Sequence, residues 1–284
     1  MTAPAIRADD EPLVIGVGYQ NLREGGVDGA DDARLRQMVD RLADADLDAV
    51  LLGEARWLDR GDRQLHQIAQ RLGASFRCRV RSNYYGCDMA VFICEDKLWV
   101  AEERHENGSM KPWFHGLGRV ETRVPGFGRL DIAVTHFAPS MPMQRLLEAE
   151  AFHLLGKAPM IAAGDFNAVA VNDPADRAAF GPDKEHKLRD EPAQTIASAG
   201  FRDAGAAYGD LSPTVGIGDG QPAYRCDRIY CNVPGVRVAD FTVLPPFSSG
   251  PGRMRLSDHA AVIARFILPT IPGATDPSVS RGGR

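Results

Sequence analysis

The N-terminal part of the chain alternates between short apolar runs and amphipathic segments, and this alternation restricts the fold more than any other feature. "PLVIGVG" (12–18) and "DAVLLG" (48–53) have the length and apolar content of buried strands. The apolar positions that follow each strand recur with the 3.6-residue period of a helix: Leu35, Met38, Val39 and Leu42 in the first segment, and Leu65, Ile68, Ala69 and Leu72 in the second. Strands that alternate with helices predict an α/β fold in which the helices lie outside the sheet.

Beyond residue 86 the pattern changes, and strands also follow one another directly. The stretch "MAVFICEDKLWVAE" (89–102) predicts a β-hairpin that turns at Glu95–Asp96. Further strands and one helix are predicted later in the chain: the strands "GRLDIAVTHF" (128–137), "PMIAAGDFN" (159–167), "YRCDRIYC" (224–231) and "DHAAVIARFIL" (258–268), and the helix "PMQRLLEAEAFHLLG" (142–156). Hairpins mixed with strand–helix–strand units predict a mixed sheet, or two sheets with outer helices.

The length and composition predict a single domain. The chain has 284 residues, of which 44% are hydrophobic and 25% are charged, and no linker or change of composition divides it. We expect a flexible N-terminus over residues 1–11, a folded domain over 12–268 and a disordered tail over 269–284, which is rich in Pro, Gly and Ser.

Cysteine usage and the lack of sorting signals predict a cytoplasmic protein. Five cysteines without a C-x-x-C pair favour free thiols in a reducing compartment over a zinc site or a disulfide framework. The N-terminus lacks the basic-then-apolar pattern of a signal peptide, and no apolar run is long enough to span a bilayer, so we expect no membrane contact. A net charge of −5 weighs against a broad basic face for nucleic acid, although a bound metal ion supplies positive charge locally.

Polar residues stand where several of the predicted strands end. They are Asn21, Glu54, His136, the pair Asp165 and Asn167, and the pair Asp258 and His259, with Asp227 inside a strand. Each has an ordinary explanation as a turn residue, a cap or a hydrogen-bonded core histidine. Together they supply the oxygen ligands that Mg²⁺ prefers, two histidines for proton transfer near neutral pH, and amides that bond phosphate oxygens. The set therefore predicts metal-assisted phosphoryl chemistry.

The order of these motifs resembles the endonuclease/exonuclease/phosphatase superfamily, which has the deoxyribonuclease-I-like fold. "GDFN" (164–167) with a later "SDH" (257–259) is the specific pair, and "THFAPS" (135–140) is similar to the deoxyribonuclease branch. The resemblance implies a four-layer α/β/β/α sandwich of two mixed β-sheets flanked by helices, with 12–268 as the catalytic domain. It also implies hydrolysis of phosphate esters by in-line attack of water, with Mg²⁺, or Mn²⁺ in its place, as the cofactor.

The resemblance gives the catalytic roles to five residues. Asp165 and Asn167 bind the scissile phosphate and orient the attacking water. His259 pairs with Asp227, and His136 is the second histidine on the phosphate. Whether Asp165 or the His259–Asp227 pair takes the proton of the water stays open at this point.

The same resemblance makes Glu54 the main metal ligand, helped by Asn21 and Asp258. Substrate contacts are expected from Asn21, Arg56, Asn167, Lys184 and Lys187. The alternatives are a surface salt bridge for the arginine and a solvated charged loop for the lysines. Asp88 fits the position of an acid that orients His136, with a polar hairpin residue as the alternative.

Two departures from the family pattern bear on the substrate. Gly53 stands where many relatives have Gln before the metal-binding Glu54, and the Tyr-containing motif of abasic-site endonucleases has no clear match. We expect a nuclease that cleaves phosphodiester bonds as a monomer, without an obligate protein partner. The alternatives are a phosphatase or phosphodiesterase that acts on a small phosphorylated metabolite, favoured by the acidic pI, and an inactive binding module on the same fold.

Overall fold

The computed structural model describes residues 12–57, 62–107, 112–249 and 252–270, so the predicted N-terminal segment and nearly all of the predicted tail lie outside the described residues. The strands are β1 (Val14–Asn21), β2 (Ala49–Gly53), β3 (Phe76–Val80), β4 (Met89–Ile93), β5 (Trp99–Glu106), β6 (Gly116–Val124), β7 (Gly128–His136), β8 (Met160–Asp165), β9 (Arg202–Asp203), β10 (Asp227–Cys231), β11 (Arg237–Leu244) and β12 (Ala261–Ile267). The helices are α1 (Ala33–Ala43), α2 (Arg63–Leu72), α3 (Pro142–Glu150), α4 (Phe152–Leu155), α5 (Glu191–Ser198) and α6 (Ala204–Tyr208). None of the helices in the described ranges is long and apolar enough to cross a membrane.

The strands form two mixed six-stranded sheets that pack face to face. The first sheet has the order β11-β12-β1-β2-β4-β3, in which β1 and β2 are parallel and the other pairs are antiparallel. The second sheet has the order β5-β6-β7-β8-β10-β9, in which β7 and β8 are parallel and the other pairs are antiparallel. Helices cover the outer faces, so the layers are α/β/β/α and the predicted fold class is confirmed.

Alternation along the strands explains how these layers pack. Val17, Leu51 and Ile132 are fully buried in the core between the two sheets. Val50 and Leu52 belong to a second apolar cluster with α1 and α2, because successive side chains of a strand point to opposite faces. β2 is therefore buried on both faces, which is why its sequence is a continuous apolar run. Each fully buried aliphatic side chain of this kind stabilises the fold by about 1.5–3 kcal/mol.

The predicted hairpin at Glu95–Asp96 is wrong, because its two strands belong to different sheets. β4 pairs with β2 on one edge and with β3 on the other, so it has no free edge for β5. The chain turns after β4 and crosses to the second sheet, where β5 pairs with β6. β5 is largely exposed, as befits a strand at the edge of its sheet.

The other predicted strands and helices are present, with differences in detail. In α2, Leu72 is only partly buried, at the last turn of the helix. The helix predicted over 142–156 forms two helices, α3 and α4, that meet at Ala151. The strands β3, β6, β9 and β11 and the helices α5 and α6 have no counterpart among the predictions.

The parallel pairs bring the polar strand ends together. Asn21 at the end of β1 lies in register with Gly53 at the end of β2. His136 at the end of β7 lies in register with Asp165 at the end of β8, and Asp227 at the start of β10 lies opposite Asp165 on its other side. The polar residues that the sequence analysis placed at strand ends therefore lie together at one edge of the sandwich.

Candidate active site

The last residue of β1 and the residue that follows β2 contact each other. Asn21 Nδ2 donates to Glu54 Oε1 at 3.2 Å, and Asn21 Oδ1 accepts from the N–H of Arg23 at 3.0 Å. Asn21 is fully buried, and its backbone carbonyl accepts from Ser257 Oγ at 2.8 Å, which ties the "SDH" segment to the end of β1. These contacts fix the amide, while the carboxylate stays partly exposed.

The backbone around Glu54 is held in an uncommon conformation. Arg23, Glu24 and Glu54 have φ angles of 51°, 55° and 53°, a region that residues other than glycine seldom adopt. The N–H of Glu24 donates to Glu54 Oε2 at 3.2 Å, and the N–H of Gly25 donates to the Glu54 carbonyl at 2.8 Å. Arg56 forms an ion pair with Glu24. Strain of this kind gathers at functional sites, and here it presents Glu54 in one orientation.

Tyr19 is a site residue that the sequence did not reveal. It is fully buried between the sheets, and within the described residues its hydroxyl has no hydrogen-bond partner. Burial and the carboxylates of Asp227 and Asp165 raise the pKa of Tyr19 well above its ordinary value, so the phenol is neutral and able to donate. A Cβ on Gly53 would lie 2.3 Å from this hydroxyl, so the buried tyrosine leaves no room for a side chain at this position. The only sequence signal is a tyrosine in a buried strand, two residues before Asn21.

Asp165 lies between the two histidines. Its Oδ2 is 3.5 Å from His136 Nε2 and 4.0 Å from His259 Nε2, and both distances are longer than a hydrogen bond. Burial alone would raise the pKa of Asp165, but His259, His136 and Lys187 lower it to about 2. The carboxylate is therefore ionised at neutral pH, and the Nε2 atoms of both rings remain available to a substrate.

Asn167 is fixed at both ends of its side-chain amide. It has a φ of 54°, and its N–H donates to Asp165 Oδ1 at 2.8 Å. Its Nδ2 donates to the Phe137 carbonyl at 2.9 Å, and its Oδ1 accepts from Lys187 Nζ at 2.6 Å. Burial lowers the pKa of Lys187 to about 8. Lys187 thus contacts Asn167 and also acts on the carboxylate of Asp165.

His259 and Asp227 join the two sheets. His259 precedes β12 of the first sheet, Asp227 begins β10 of the second, and His259 Nδ1 lies 2.8 Å from Asp227 Oδ2. Asp227 is fully buried, and its N–H donates to Thr214 Oγ1 at 3.0 Å. Burial by itself would lower the pKa of His259, but the charge and hydrogen bond of Asp227 raise it well above its ordinary value. His259 is therefore held as an imidazolium.

Donor chemistry separates two places that could hold a metal ion. One surrounds the histidine–aspartate pair, where the ligand atoms lie within 4.8 Å of one another in Asp165, Cys226, Asp227 and His259. There the histidine already bonds a carboxylate, and burial raises the pKa of the Cys226 thiol, which stays protonated. The other place is the Glu54–Asn21 end, which offers oxygen ligands and a partly exposed carboxylate, and Mg²⁺ prefers oxygen ligands and retains several waters. Oxygen chemistry favours the second place for Mg²⁺.

The acid expected to orient His136 contacts other residues. Within the described part of the chain, Asp88 forms no hydrogen bond or ion pair with His136; its Oδ1 accepts from the Ser82 N–H at 2.9 Å, and its Oδ2 lies 3.6 Å from Arg79 Nε. His115 packs against His136 instead, with ring centroids 4.4 Å apart, and its Nδ1 lies 2.8 Å from Ser82 Oγ. Burial and His136 lower the pKa of His115 to about 3, so this ring is neutral.

The remaining predicted residues lie at the rim of the site. Arg56 is partly exposed and occupied by its ion pair. The Asp258 side chain is 44% exposed and lies 3.9 Å from Arg23 Nε. Lys184 donates to a glutamine of a neighbouring loop, so Lys187 is the lysine that the fold brings to Asp165.

A cavity of about 500 Å³ adjoins the Asn21 side of the site. Three arginines, Arg23, Arg34 and Arg255, are among the residues that line it. Arg34 and Arg255 pair with nearby acids, whereas the ion pair of Arg23 is long, at 3.9 Å. The lining also includes the acids Glu24 and Asp28, so Arg23 is the arginine of this cavity with the most charge left for a ligand beside the Glu54 end of the site.

Comparison with known proteins agrees with this fold. The chain belongs to the Endonuclease/Exonuclease/phosphatase family, whose model matches residues 18–259. It is thus a member of a family of phosphate-ester hydrolases, and the resemblance carried by the motifs is confirmed. No curated protein has a sequence significantly similar to this chain.

Solved structures share the fold at low sequence identity. D. rerio TDP2 complexed with a single strand DNA product is 15% identical, with a TM-score of 0.65 over 89% of this chain and 98% of that one. The human Nocturnin catalytic domain with a bound sulfate anion is 16% identical, with a TM-score of 0.63 over 90% and 96%. A mannosyl-6-phosphatase of Bacteroides thetaiotaomicron is 18% identical, with a TM-score of 0.61 over 89% and 100%. At these identities the likeness is one of fold.

Proposed function

We propose that this chain is a Mg²⁺-dependent hydrolase that cleaves phosphodiester bonds in nucleic acid. The observation that carries the proposal is the position of Asp165, an ionised carboxylate between the imidazolium of His259 and the ring of His136. Two imidazole nitrogens bind the oxygens of an anionic phosphate, and a carboxylate beside them holds a water for in-line attack.

The residues at the other end of the site fit a hard divalent cation. No lysine or arginine of the described ranges forms an ion pair with Glu54, so its carboxylate has charge left for a metal ion. Glu54 would be the main ligand, with Asn21 and Asp258 near it. A bound Mg²⁺ would offset negative charge on the phosphate and on the leaving oxygen.

The other residues of the site have separate roles in the proposed reaction. Asp165 orients the attacking water and takes its proton, because a bound phosphate anion offsets the nearby positive charges and so raises the pKa of this carboxyl from its low resting value. His259 stabilises negative charge on the phosphate oxygens, and Asp227 keeps the ring charged and oriented. Asn167 and Lys187 donate to a further phosphate oxygen.

Nucleic acid is the substrate class with the most support. Arg23, whose ion pair is long, and Lys187 are cationic groups near the two ends of the site, and D. rerio TDP2 was solved with single strand DNA. The second candidate is a small phosphorylated metabolite, favoured by the net charge of −5 and by the mannosyl-6-phosphatase neighbour. The monomeric state and the cytoplasmic location stay predictions.

The substrate class is tested by cleavage assays with Mg²⁺ on single-stranded DNA, single-stranded RNA, duplex DNA and small phosphate esters. For a nuclease we expect kcat/KM on a long strand to fall about tenfold or more between roughly 50 and 200 mM NaCl, since several phosphate contacts release counterions. A flat salt response together with comparable efficiency on a small ester would replace the nuclease by the metabolite hydrolase.

Glu54→Gln tests the metal-binding end. The change keeps the shape of the side chain and removes one negative charge, so we expect activity to fall by roughly a hundredfold or more, with partial recovery at high Mg²⁺. Glu24→Gln, which alters the neighbouring carboxylate that pairs with Arg56, is the matched control and should keep most of the activity. Wild-type turnover of the Glu54 variant at ordinary Mg²⁺ would remove this residue from the metal site.

A further inference from the structure

Two neighbouring tyrosines at the rim of the active site are exposed to solvent. Tyr84 is 51% exposed and Tyr85 is 67% exposed, although aromatic rings usually contribute buried apolar area. Tyr84 stacks on Phe114 with ring centroids 4.4 Å apart and an interplanar angle of 17°, and Tyr85 lies 6.0 Å from the same ring. These three residues form what we call the aromatic platform.

The aromatic platform is continuous with the histidine side of the site. Phe114 meets the ring of His115 edge-on at 4.9 Å, and His115 packs on His136 at 4.4 Å. His136 Nε2 in turn lies 3.5 Å from Asp165 Oδ2. A series of ring contacts therefore leads from the exposed tyrosines to the carboxylate that we assign to the attacking water.

The loop that carries the tyrosines (residues 82–88) is tied to both ends of the site. Near its start, the Asn83 N–H donates to the His115 carbonyl at 2.8 Å. At its end, the Asp88 carbonyl accepts from the N–H of Ala55 at 2.7 Å, and Ala55 directly follows the metal-binding carboxylate. The loop thus has backbone hydrogen bonds both to the segment next to Glu54 and to the segment that carries His115.

The backbone of this loop presents Tyr85 to solvent. Tyr85 has a φ of 62° and Gly86 has a φ of 61°. A bulky residue in this left-handed region is uncommon and strained. Strained residues are found more often at active sites and ligand-binding sites. A strained and exposed tyrosine contributes little to the stability of the fold. A role in ligand binding would account for its presence.

We propose that the aromatic platform stacks an unpaired nucleobase next to the scissile phosphate, so that the preferred substrate is single-stranded nucleic acid. This inference rests on the proposed nuclease function and specifies its substrate class. Aromatic side chains accept the π-face of any base, whereas the bases of a duplex are already stacked on one another. An aliphatic metabolite phosphate has no ring to occupy the platform.

The test compares wild type with the double variant Tyr84→Ala/Tyr85→Ala on two single strands of equal length. One strand carries bases at every position, and the other carries tetrahydrofuran sugars without bases, so both offer the same number of phosphates. Base stacking of the usual strength gives a rise in KM of about tenfold on the first strand and no change on the second.

Two variants serve as controls. Tyr208→Ala removes a tyrosine of α6 that is 47% exposed and lies outside the platform, and it should leave KM unchanged. Tyr84→Phe/Tyr85→Phe should also keep the wild-type KM, because stacking needs the ring and not the hydroxyl.

Three outcomes would contradict the inference. An unchanged KM in the alanine variant would remove the platform from the substrate path. Equal losses on the two strands would show that the tyrosines act on the sugar–phosphate backbone or on the fold. Equal losses on a blunt duplex and on a single strand of the same sequence would refute the single-strand preference.

Binding separates the failure of this inference from the failure of the proposed function. Fluorescence anisotropy of a labelled thymidine oligonucleotide in EDTA measures affinity without turnover, and we expect Kd to rise about tenfold in the alanine variant. If wild type binds and cleaves strands but the variant binds equally well, the platform alone is refuted. If wild type neither binds nor cleaves strands yet hydrolyses small esters, the nuclease function and the platform are both refuted.

Discussion

The two histidines of the site have opposite surroundings. The Nδ1 of His259 forms a hydrogen bond with the buried carboxylate of Asp227. Burial lowers the pKa of the His259 ring, but this carboxylate more than offsets the decrease and raises the pKa. His136 has no hydrogen-bond partner on Nδ1 within the described residues, and it packs against the neutral ring of His115. Both rings direct Nε2 towards the same oxygen of Asp165.

We expect this difference in surroundings to give His259 and His136 different roles in the proposed reaction. A histidine with a fixed carboxylate on Nδ1 keeps one charge and one orientation, which suits the stabilisation of a negative phosphate. His136 has no such carboxylate, and we assign it to binding the phosphate on the other side of Asp165. We therefore expect mutations and pH to act unequally on the two sides of Asp165.

The largest effect should come from removing His259. His259→Ala takes away the fixed cation and leaves Asp227 buried without its partner, so we expect kcat to fall by roughly 10³-fold or more. His136→Ala should cost about 10²-fold. Single-turnover kinetics on one substrate measure both, with circular dichroism as the control for folding. Equal losses would contradict the division of tasks.

Asp227→Asn should have an intermediate effect and should move the pH profile. We expect a loss of roughly ten- to a hundredfold. Burial then acts on His259 without the opposing carboxylate, so the pKa of the ring falls, and the imidazolium is lost at a lower pH as the pH rises. The alkaline limb of kcat/KM should therefore begin at a lower pH than in wild type. A limb that stays in place would show that Asp227 does not control the charge of His259.

The smallest effect is expected at His115. Its low pKa keeps it neutral near pH 7, so His115→Phe preserves the packing against His136 and loses the hydrogen bonds of the ring, including the one to Ser82. We expect kcat/KM within about twofold of wild type and a free energy of unfolding lower by about 1 kcal/mol. Urea denaturation and a pH–rate series measure these quantities. A displaced pH profile would mean that His115 takes part in proton transfer.

Short motifs predicted which residues the fold brings together at this edge, because each motif lies at the end of an apolar run that the sequence shows directly. Glu54 and Asp165 follow buried strands, and their positions need no knowledge of neighbouring strands. Tyr19 and His115 were missed because their importance depends on which residues pack against them from distant parts of the chain. The contacts of Asp88 with Ser82 and Arg79 could not be predicted for the same reason, since sequence position does not show which side chain a carboxylate meets.

The fold class was predictable and its connections were less so. Alternating strands and helices indicate an α/β fold wherever they occur. A turn between two apolar runs looks the same whether the chain stays in one sheet or crosses to another. β5 cannot pair with β4 because β2 and β3 already occupy both edges of β4. This occupation cannot be read from the local sequence, since β2 is separated from β4 along the chain.

The first sheet is completed by a strand from late in the chain. β12 lies between β11 and β1, and the segment before it brings Ser257 to Asn21 and His259 to Asp227. Because Asn21 and Ser257 are 236 residues apart, synthesis at about 5–20 residues per second separates the two halves of the site by tens of seconds. A nascent chain therefore has no assembled site until β12 has left the ribosome. For the nuclease that we propose, this order of synthesis means that the growing chain lies beside ribosomal RNA before it has a complete site.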